Sequence, residues 1–294
     1  MSSSKTQIAQ KAYLWACDLE LRAIKPGNVG DHGDGHQMTP VLFRDSAKAS
    51  VGALSDADLG LGQRIYQAVR SSLEVAGCNT NLGIILLSAP LIEAYFQRQQ
   101  GQTLQQALGE ALDRLSPEDT AWVFRAISSA EPGGLGSAPE GDVRNPPDLS
   151  LMEAMRLAEH RDCIARQYTH SYEDIFHRGI PLYDSRLSIG DSEEWATAVL
   201  FMDFLSCMED SHVGRKFGQA CAREVSREAA QVYGLFQDKA IQPELILRPL
   251  LDLDRTFKAR GINPGTTADL TVASLLAAAL GRGDGGKGGR LEPL

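Results

Sequence analysis

The chain has 294 residues and a formal net charge of −9, with 43% apolar, 23% charged and 6% aromatic residues. The acidic balance argues against a general nucleic-acid-binding protein, because such proteins carry an excess of Lys and Arg. Alanine and leucine dominate the apolar residues, which favours helices over β-sandwiches and barrels. No apolar run reaches the roughly 18–20 residues of a membrane-spanning helix, so we expect no membrane span.

The N-terminus and the cysteines indicate a cytoplasmic protein. The first residues, Met-Ser-Ser-Ser-Lys-Thr-Gln, contain no apolar core of a secretion signal. The cysteines are odd in number and never spaced as CxxC, so they predict free or buried thiols in a reducing compartment. They are Cys17, Cys78, Cys163, Cys207 and Cys221.

Apolar residues recur at helical spacing along most of the chain. We expect Ser55 or Asp56 to cap the third helix, and Ser116-Pro117 to begin the sixth. The predicted helices cover residues 4–24, 41–54, 57–76, 81–100, 103–115, 117–130, 149–162, 164–177, 192–208, 211–234, 242–260 and 267–280.

The segments between these helices are predicted loops, of which the longest are 25–40, 131–147 and 178–191. No segment alternates convincingly with period two, so we predict an all-α protein without a sheet. We assign residues 1–280 to one large domain of about a dozen helices, and 281–294 to a flexible Gly-rich tail.

The stretch from Glu209 to Lys216 combines an acid, a hydroxyl, an imidazole and two cations between apolar helical segments. Buried charges need partners, so such a cluster is unfavourable as plain core packing. It suits a site for Mg²⁺ and a polyphosphate. Within it, Asp210, His212 and Arg215 are the residues of most interest.

Four other stretches place polar groups at predicted helix ends. Each also has a purely structural interpretation, as a helix cap or a solvated loop, and the residues alone leave both open. The stretches are Glu20 with Lys25, Asn79-Thr80-Asn81-Leu82-Gly83, the loop carrying Asp142, and Asn263-Pro264-Gly265-Thr266 with Asp269.

Three motif matches are set aside. Residues 281–287 fit GxxxxGK, but neither the strand nor the helix that a P-loop needs flanks them. His160, Arg161 and Asp162 resemble a kinase triplet, but they lie in a helical pattern without the other kinase motifs, so we interpret them as solvated or capping charges. The six histidines show no zinc-binding spacing.

Taken in order, these motifs resemble the triphosphoribosyl-dephospho-CoA synthase family, whose members make the prosthetic-group precursor of citrate lyase and malonate decarboxylase. The resemblance covers about residues 12–280. It implies an all-helical fold and the transfer of the ribose of ATP, with its triphosphate attached, to the 2′-hydroxyl of dephospho-CoA, with release of adenine. The matching residues are Glu20, Lys25-Pro26-Gly27-Asn28-Val29, Phe43, Ser46-Ala47, Asn79-Thr80, Gly83, Asp210-Ser211, Arg215, Gly218, Asn263-Pro264-Gly265-Thr266 and Ala268-Asp269-Leu270.

The resemblance implies roles for these residues. Glu20, Asp142 and Asp210 are candidate catalytic carboxylates that stabilise an oxocarbenium-like state or take the acceptor's proton. The same three and Asp269 are candidate Mg²⁺ ligands. The residues expected to bind the triphosphate and nucleotide are Lys25, Asn28, Asn79, Thr80, Arg215, Lys216, Asn263, Gly265 and Thr266.

The sequence also departs from the citrate-lyase type. That type has Asn-Thr-His-Lys-Gly, whereas this chain has Asn79-Thr80-Asn81-Leu82-Gly83, so a histidine and a lysine are replaced. That type also has Asn where this chain has His212. Of its His-x-Asp-Met stretch, only Gly35-His36-Gln37-Met38 remains. One alternative therefore keeps the fold and the ATP site but uses another acceptor, in methanopterin-type one-carbon cofactor synthesis. Another is a non-catalytic helical nucleotide-binding protein. Monomer and homodimer both stay open.

Overall fold

A computed structural model describes residues 2–35, 38–132, 142–145, 148–237 and 243–282. These residues form fourteen α-helices and one π-helical segment and contain no strand, which confirms the predicted all-α fold. The α-helices are α1 Ser2–Arg22, α2 Pro40–Leu54, α3 Leu61–Ala76, α4 Leu82–Gln97, α5 Leu104–Asp113, α6 Pro117–Ala130, α7 Leu151–Ala158, α8 Cys163–Thr169, α9 Ile180–Ser188, α10 Glu193–Cys207, α11 Ser211–Phe217, α12 Gln219–Gln237, α13 Pro243–Ala259 and α14 Gly265–Arg282.

Helices α4 and α14 form the centre of this single helical domain. Every residue from 82 to 92 of α4 and from 270 to 278 of α14 is buried. A helix that is apolar on all sides is stable only when neighbours surround it. Helices α1, α4 and α10 pack against α14, and a second apolar cluster joins α10 to α11, α12 and α13. The first turns of α4 and α14 are thus fixed within the core.

Several boundaries differ from the prediction. The prediction of a loop at 178–191 is wrong, because a π-helical segment, Ile175–Gly179, leads directly into α9. Pro181 occupies the first turn of α9, where a missing N–H costs no intrahelical bond. The single helix expected at 211–234 is two helices, because Gly218 at φ +86° ends α11.

The predicted caps had different outcomes. Ser116 begins α6 as predicted, in a capping box with Asp119. The third helix begins at Leu61 after Gly60, not at 57, and Ser55 instead ends α2, donating its hydroxyl to Val51 O over 2.7 Å. A serine suits either end of a helix, so its residue type alone did not decide this.

Helix α13 holds the loop that follows α1. Gly27 N donates to Asp254 Oδ1 over 2.9 Å, and Lys258 Nζ donates to Gly33 O over 3.2 Å. Gly27 has φ +81°, and a Cβ there would lie 2.8 Å from Ile262 O. Only glycine fits this position without strain. The loop therefore has a fixed path where it carries Asn28.

No helix among the described residues is long and apolar enough to cross a membrane. Helix α14 ends at Arg282, two residues beyond the predicted domain end. His36 and Gln37, most of the predicted 131–147 loop and the tail from 283 onward lie outside the described residues. The predicted division at residue 280 stays a prediction.

Gly62 provides a test of the packing of α3 on α6. A Cβ at Gly62 would lie 2.4 Å from Asp119 O, a backbone atom, whereas a Cβ at Gly52 in α2 would meet nothing within 4 Å. We expect Gly62→Ala to lower the free energy of unfolding by about 1–3 kcal/mol. The matched Gly52→Ala should raise it by about 0.5–1 kcal/mol. Urea denaturation measures both, and equal effects would contradict this packing.

Candidate functional site

One cavity of about 270 Å³ lies where the ends of α1, α4, α8, α11 and α14 meet, next to α6 and α7. Most of the residues predicted from the sequence line it. Lys25, Asp210 and Lys216 do not. The predicted residues in its wall are Glu20, Asn28, Asn79, Thr80, Asp142, Arg215, Asn263, Gly265, Thr266 and Asp269.

Glu20 forms part of the cavity floor and is paired with Lys25, which is buried behind it. Lys25 Nζ lies 2.5 Å from Glu20 Oε1 and also donates to Asn28 Oδ1 over 2.8 Å and to Val29 O over 2.6 Å. Burial raises the pKa of Glu20, although the ammonium of Lys25 opposes the shift. A buried ion pair often recovers less than its desolvation costs. Glu20 thus faces the cavity as a carboxylate with an increased affinity for a proton.

The two Pro-Gly turns are joined directly. Asn28 Nδ2 donates to Asn263 Oδ1 over 2.8 Å, so the turn after α1 is tied to the turn before α14. Both amides line the cavity. The two turns, which share a Pro-Gly sequence, therefore lie together at the site, besides ending one helix and preceding another.

The start of α4 lies against α14. Asn79 Oδ1 accepts from Leu82 N over 3.2 Å, and Thr80 Oγ1 donates to Ser46 Oγ over 2.8 Å. A Cβ at Gly83 would lie 2.0 Å from Asp269 Oδ2. Gly83 is therefore required by the carboxylate that packs on the first turn of α4.

The surroundings of Asp269 oppose the ionisation of its carboxyl group. Burial, and then the neighbouring charges of Asp210 and Glu20, raise the pKa of Asp269 well above its ordinary value, although Arg215 opposes the shift. Like charges that share a dry site disfavour ionisation. A cation near Asp269 would relieve this repulsion.

Asp210 joins two helix starts instead of lining the cavity. Its Oδ1 accepts from Val213 N over 3.0 Å, and its Oδ2 accepts from Thr267 N and Oγ1 over 2.7 and 2.8 Å. It is buried, with 2% of its surface exposed. The structure therefore gives Asp210 a positioning role, and its predicted catalytic and metal roles stay predictions.

Arg161 and Asp162 also line the cavity, although the sequence did not assign them to the site. His212, which the sequence analysis placed in the polar cluster without a role, lines it too. Asp162 Oδ1 caps α8 by accepting from Ile164 N, as one of the interpretations of this stretch had it, and its Oδ2 lies 2.5 Å from Arg215 Nη1. The ring of His212 packs on Gly265, where a Cβ would lie 2.6 Å from Nδ1. Only the packing of α8 and α11 brings these residues to the cavity.

Lys216 and Asp142 make other contacts in the structure. Lys216 is exposed, with its ammonium 5.3 Å from the centre of the Phe217 ring. Asp142 lines the cavity, but its Oδ2 lies 2.5 Å from Arg144 Nη2. The phosphate role of Lys216 and the metal role of Asp142 stay predictions.

The cavity can be compared with known proteins. The family model CitG, described as ATP:dephospho-CoA triphosphoribosyl transferase, matches residues 6–288. The chain belongs to this family. The resemblance read from the sequence motifs is thus confirmed, and the chain is a member of a transferase family.

A solved structure supports the fold of this triphosphoribosyl transferase family member. It comes from Archaeoglobus fulgidus and carries the provisional name triphosphoribosyl-dephospho-CoA synthase. It superposes with a TM-score of 0.60 at 23% identity, covering 81% of this chain and 98% of that chain. Among curated proteins no match is found.

Of three residues that differ from the citrate-lyase type of this family, two line the cavity and one lies behind its wall. Asn81, where that type has His, is buried and accepts from Ser72 Oγ over 2.5 Å, outside the main cavity. Leu82, where that type has Lys, lines the cavity, and so does His212. The family member thus has an apolar group in place of a cation, and an imidazole on the α11 side.

The described residues contain no group of three His, Cys, Asp or Glu side chains arranged to hold a metal ion alone. Mg²⁺, however, is usually bound by one or two carboxylates together with waters and substrate phosphates. The donor set fits that mode: carboxylates Glu20, Asp142, Asp162 and Asp269 outnumber the guanidinium groups Arg161 and Arg215 in the wall. The residues therefore fit a Mg²⁺ ion that is held jointly with a phosphorylated ligand.

Asp210→Ala tests whether this carboxylate mainly joins α11 to α14. Loss of the side chain leaves three buried donors unpaired, so we expect the free energy of unfolding to fall by about 2–4 kcal/mol. Ser192→Ala removes an N-cap that serves one helix only and should cost about 1 kcal/mol. Denaturant titration measures both. A stable Asp210→Ala variant that loses Mg²⁺·ATP binding would instead favour the metal role.

Asp269→Asn tests the electrostatic strain in the cavity. Asp269 has a higher pKa in the folded chain than in the unfolded chain, so it loses its proton at lower pH when the chain is unfolded. Its contribution to the free energy of unfolding therefore falls as the pH rises above about 4. Asn carries no charge, and we expect the variant to melt a few degrees above the parent at pH 8, with a smaller difference at pH 5. Thermal melts without Mg²⁺ or nucleotide measure this. Asp58→Asn, at an exposed position, is the control, and a pH-independent difference would contradict the strain.

Proposed function

We propose that the protein is a Mg²⁺-dependent enzyme that transfers the triphosphoribosyl group of ATP to the 2′-hydroxyl of dephospho-CoA and releases adenine. The observation that carries this proposal is one cavity in which a buried carboxylate, Glu20, faces the starts of α4 and α14 together with Arg215. A pentosyl transfer needs these two parts: a carboxylate near the reacting carbon and a strong anion site beside it.

The triphosphate is proposed to bind at the starts of α4 and α14. Helix starts offer N–H groups and a positive dipole end to anions. Asn79 and Asp210 already accept from Leu82 N and Thr267 N, so the phosphates would meet the dipole ends and the remaining N–H groups. Arg215 adds a charge held by Asp162 over 2.5 Å. Bound Mg²⁺, held through Asp269 and Glu20 with a contribution from Asp142, would neutralise the charge that the phosphates share with the acidic wall.

The chemical step is proposed to occur above Glu20. The bond between C1′ of the ribose and N9 of adenine breaks, and its electron pair leaves with adenine, which takes up a proton. The oxygen of the acceptor's 2′-hydroxyl bonds to C1′ and loses its proton. Glu20 is proposed to stabilise the positive charge on the ribose and to accept this proton, since its burial favours the protonated form.

The remaining polar residues are proposed to orient the nucleotide. Asn28 and Asn263 hold each other and present amides to the ribose, and Thr266 lies beside them in the wall. Lys25 keeps Glu20 in place through its ion pair. Asn79 and Thr80 fix the start of α4.

A second candidate function keeps the same ATP site and uses another acceptor, such as one from methanopterin-type cofactor synthesis. The observation that favours it is Leu82, which lines the cavity where the citrate-lyase type has lysine. Loss of a cation beside a phosphate group lowers the affinity for that anion. An acceptor without the diphosphate of dephospho-CoA would not need this cation, so the second candidate keeps ATP as the donor and changes the acceptor.

The proposal is tested by incubating the protein with Mg²⁺, ATP and dephospho-CoA and separating the nucleotides by chromatography. We expect adenine and a triphosphoribosylated product in equal amounts. Glu20→Gln should lower kcat by about 10²–10⁴-fold, because it removes the proposed base. Its melting curve serves as the control for folding. Formation of ADP instead of adenine would refute the transfer, and adenine release only with another acceptor would favour the second candidate.

A further inference from the structure

One wall of the cavity extends from the core to the surface along α7. Leu151 and Met155 are buried at the inner end, and Leu157 at the outer end is 41% exposed. Phe124 and Ile127 of α6 line the same cavity. The wall is therefore an apolar strip that becomes accessible at the mouth.

Leu157 continues the buried apolar residues of this wall to the opening of the cavity. A single exposed leucine is ordinary, but ligand sites are concave and lined mainly by apolar groups, so its position in this wall suits a ligand surface. The triphosphate has no use for such a surface. Its proposed site is the floor, where Glu20 and Thr266 are 4% and 2% exposed.

Arg161 stands at the same mouth, just after the end of α7. It is exposed, it lines the cavity, and its guanidinium makes no hydrogen bond or ion pair with any residue that the structure describes. Arg215, by contrast, is held by Asp162. A planar guanidinium that is not committed to a carboxylate is well suited to bind a phosphate.

We propose that Leu157 and Arg161 form the acceptor subsite, which binds a molecule whose phosphate is joined to a long uncharged arm. Arg161 pairs with the phosphate, and the arm lies along the strip of Ala154, Met155 and Leu157. Dephospho-CoA has this chemistry, because its diphosphate links the adenosine to an uncharged pantetheine arm. The inference rests on the proposed function and assigns the two substrates to different ends of one cavity.

The test is calorimetric titration of dephospho-CoA and, separately, of Mg²⁺·ATP. We expect Arg161→Ala to weaken dephospho-CoA binding about tenfold and Leu157→Ser to weaken it about threefold to tenfold, with Mg²⁺·ATP affinity unchanged. The effect of Arg161→Ala should shrink at high salt, because an exposed charge is screened. Arg156→Ala, an exposed arginine on α7 that does not line the cavity, and Ile189→Ser, an exposed apolar residue elsewhere, are the matched controls.

Two fragments separate the roles of the residues. The parent should bind 4′-phosphopantetheine about tenfold more tightly than pantetheine. Arg161→Ala should abolish this preference, and Leu157→Ser should weaken both fragments equally.

The outcomes also separate this inference from the proposed function. The subsite is refuted if the parent does not bind dephospho-CoA, or if Arg161→Ala and Leu157→Ser bind it as the parent does even while adenine is released. It is equally refuted if both variants weaken Mg²⁺·ATP as much as dephospho-CoA. If binding responds as expected and adenine is not released, the transfer reaction fails and the acceptor subsite stands.

Discussion

The arrangement of the cavity depends on the carboxylate of Asp210. The first N–H groups of a helix have no partner within the helix, so a buried helix start must find acceptors elsewhere. Asp210 supplies them for two helices at once, with Val213 N of α11 on one oxygen and Thr267 of α14 on the other. Arg215 and Asp269 extend from these same two helices into the cavity. Their relative position therefore follows from one buried side chain.

An all-helical chain has no sheet edge on which to build a polar site, so the polar groups gather where helices end. The core helices α4 and α14 are apolar along most of their length, and their first turns bring polar groups to the cavity. The link from Asn28 to Asn263 and the contact of Asp254 with Gly27 bring the end of α1 to the same place. The fold thus gathers the charges of the site at these helix ends. Buried charges elsewhere, such as Arg64 with Glu93 and Asp203 with Arg178, are paired, which limits their desolvation cost.

The sequence predicted the fold and ten residues of the cavity wall for physical reasons. Helical periodicity is strong where a helix buries one face, and polar residues beside Pro-Gly turns identify helix ends wherever these lie in space. The same signals could not show that Asp210 faces Thr267, because a capping aspartate has the same local sequence whether it meets a ligand or another helix. Arg161 and Asp162 had the pattern of solvated charges, and only the packing of α7 and α8 brings them to the cavity. The helix at 180–188 was missed because a proline in a first turn resembles a break.

The contact between Gly83 and Asp269 has a consequence for how the family can diverge. These residues are far apart in the chain, yet the carboxylate fills the space that any side chain at 83 would need. A larger residue at 83 would force the carboxylate of Asp269 to move or a shorter residue to replace it, so the two positions are expected to co-vary. An alignment of homologues can therefore be divided by this pair: sequences that keep glycine and aspartate retain the acidic floor, and sequences that exchange both have rebuilt it.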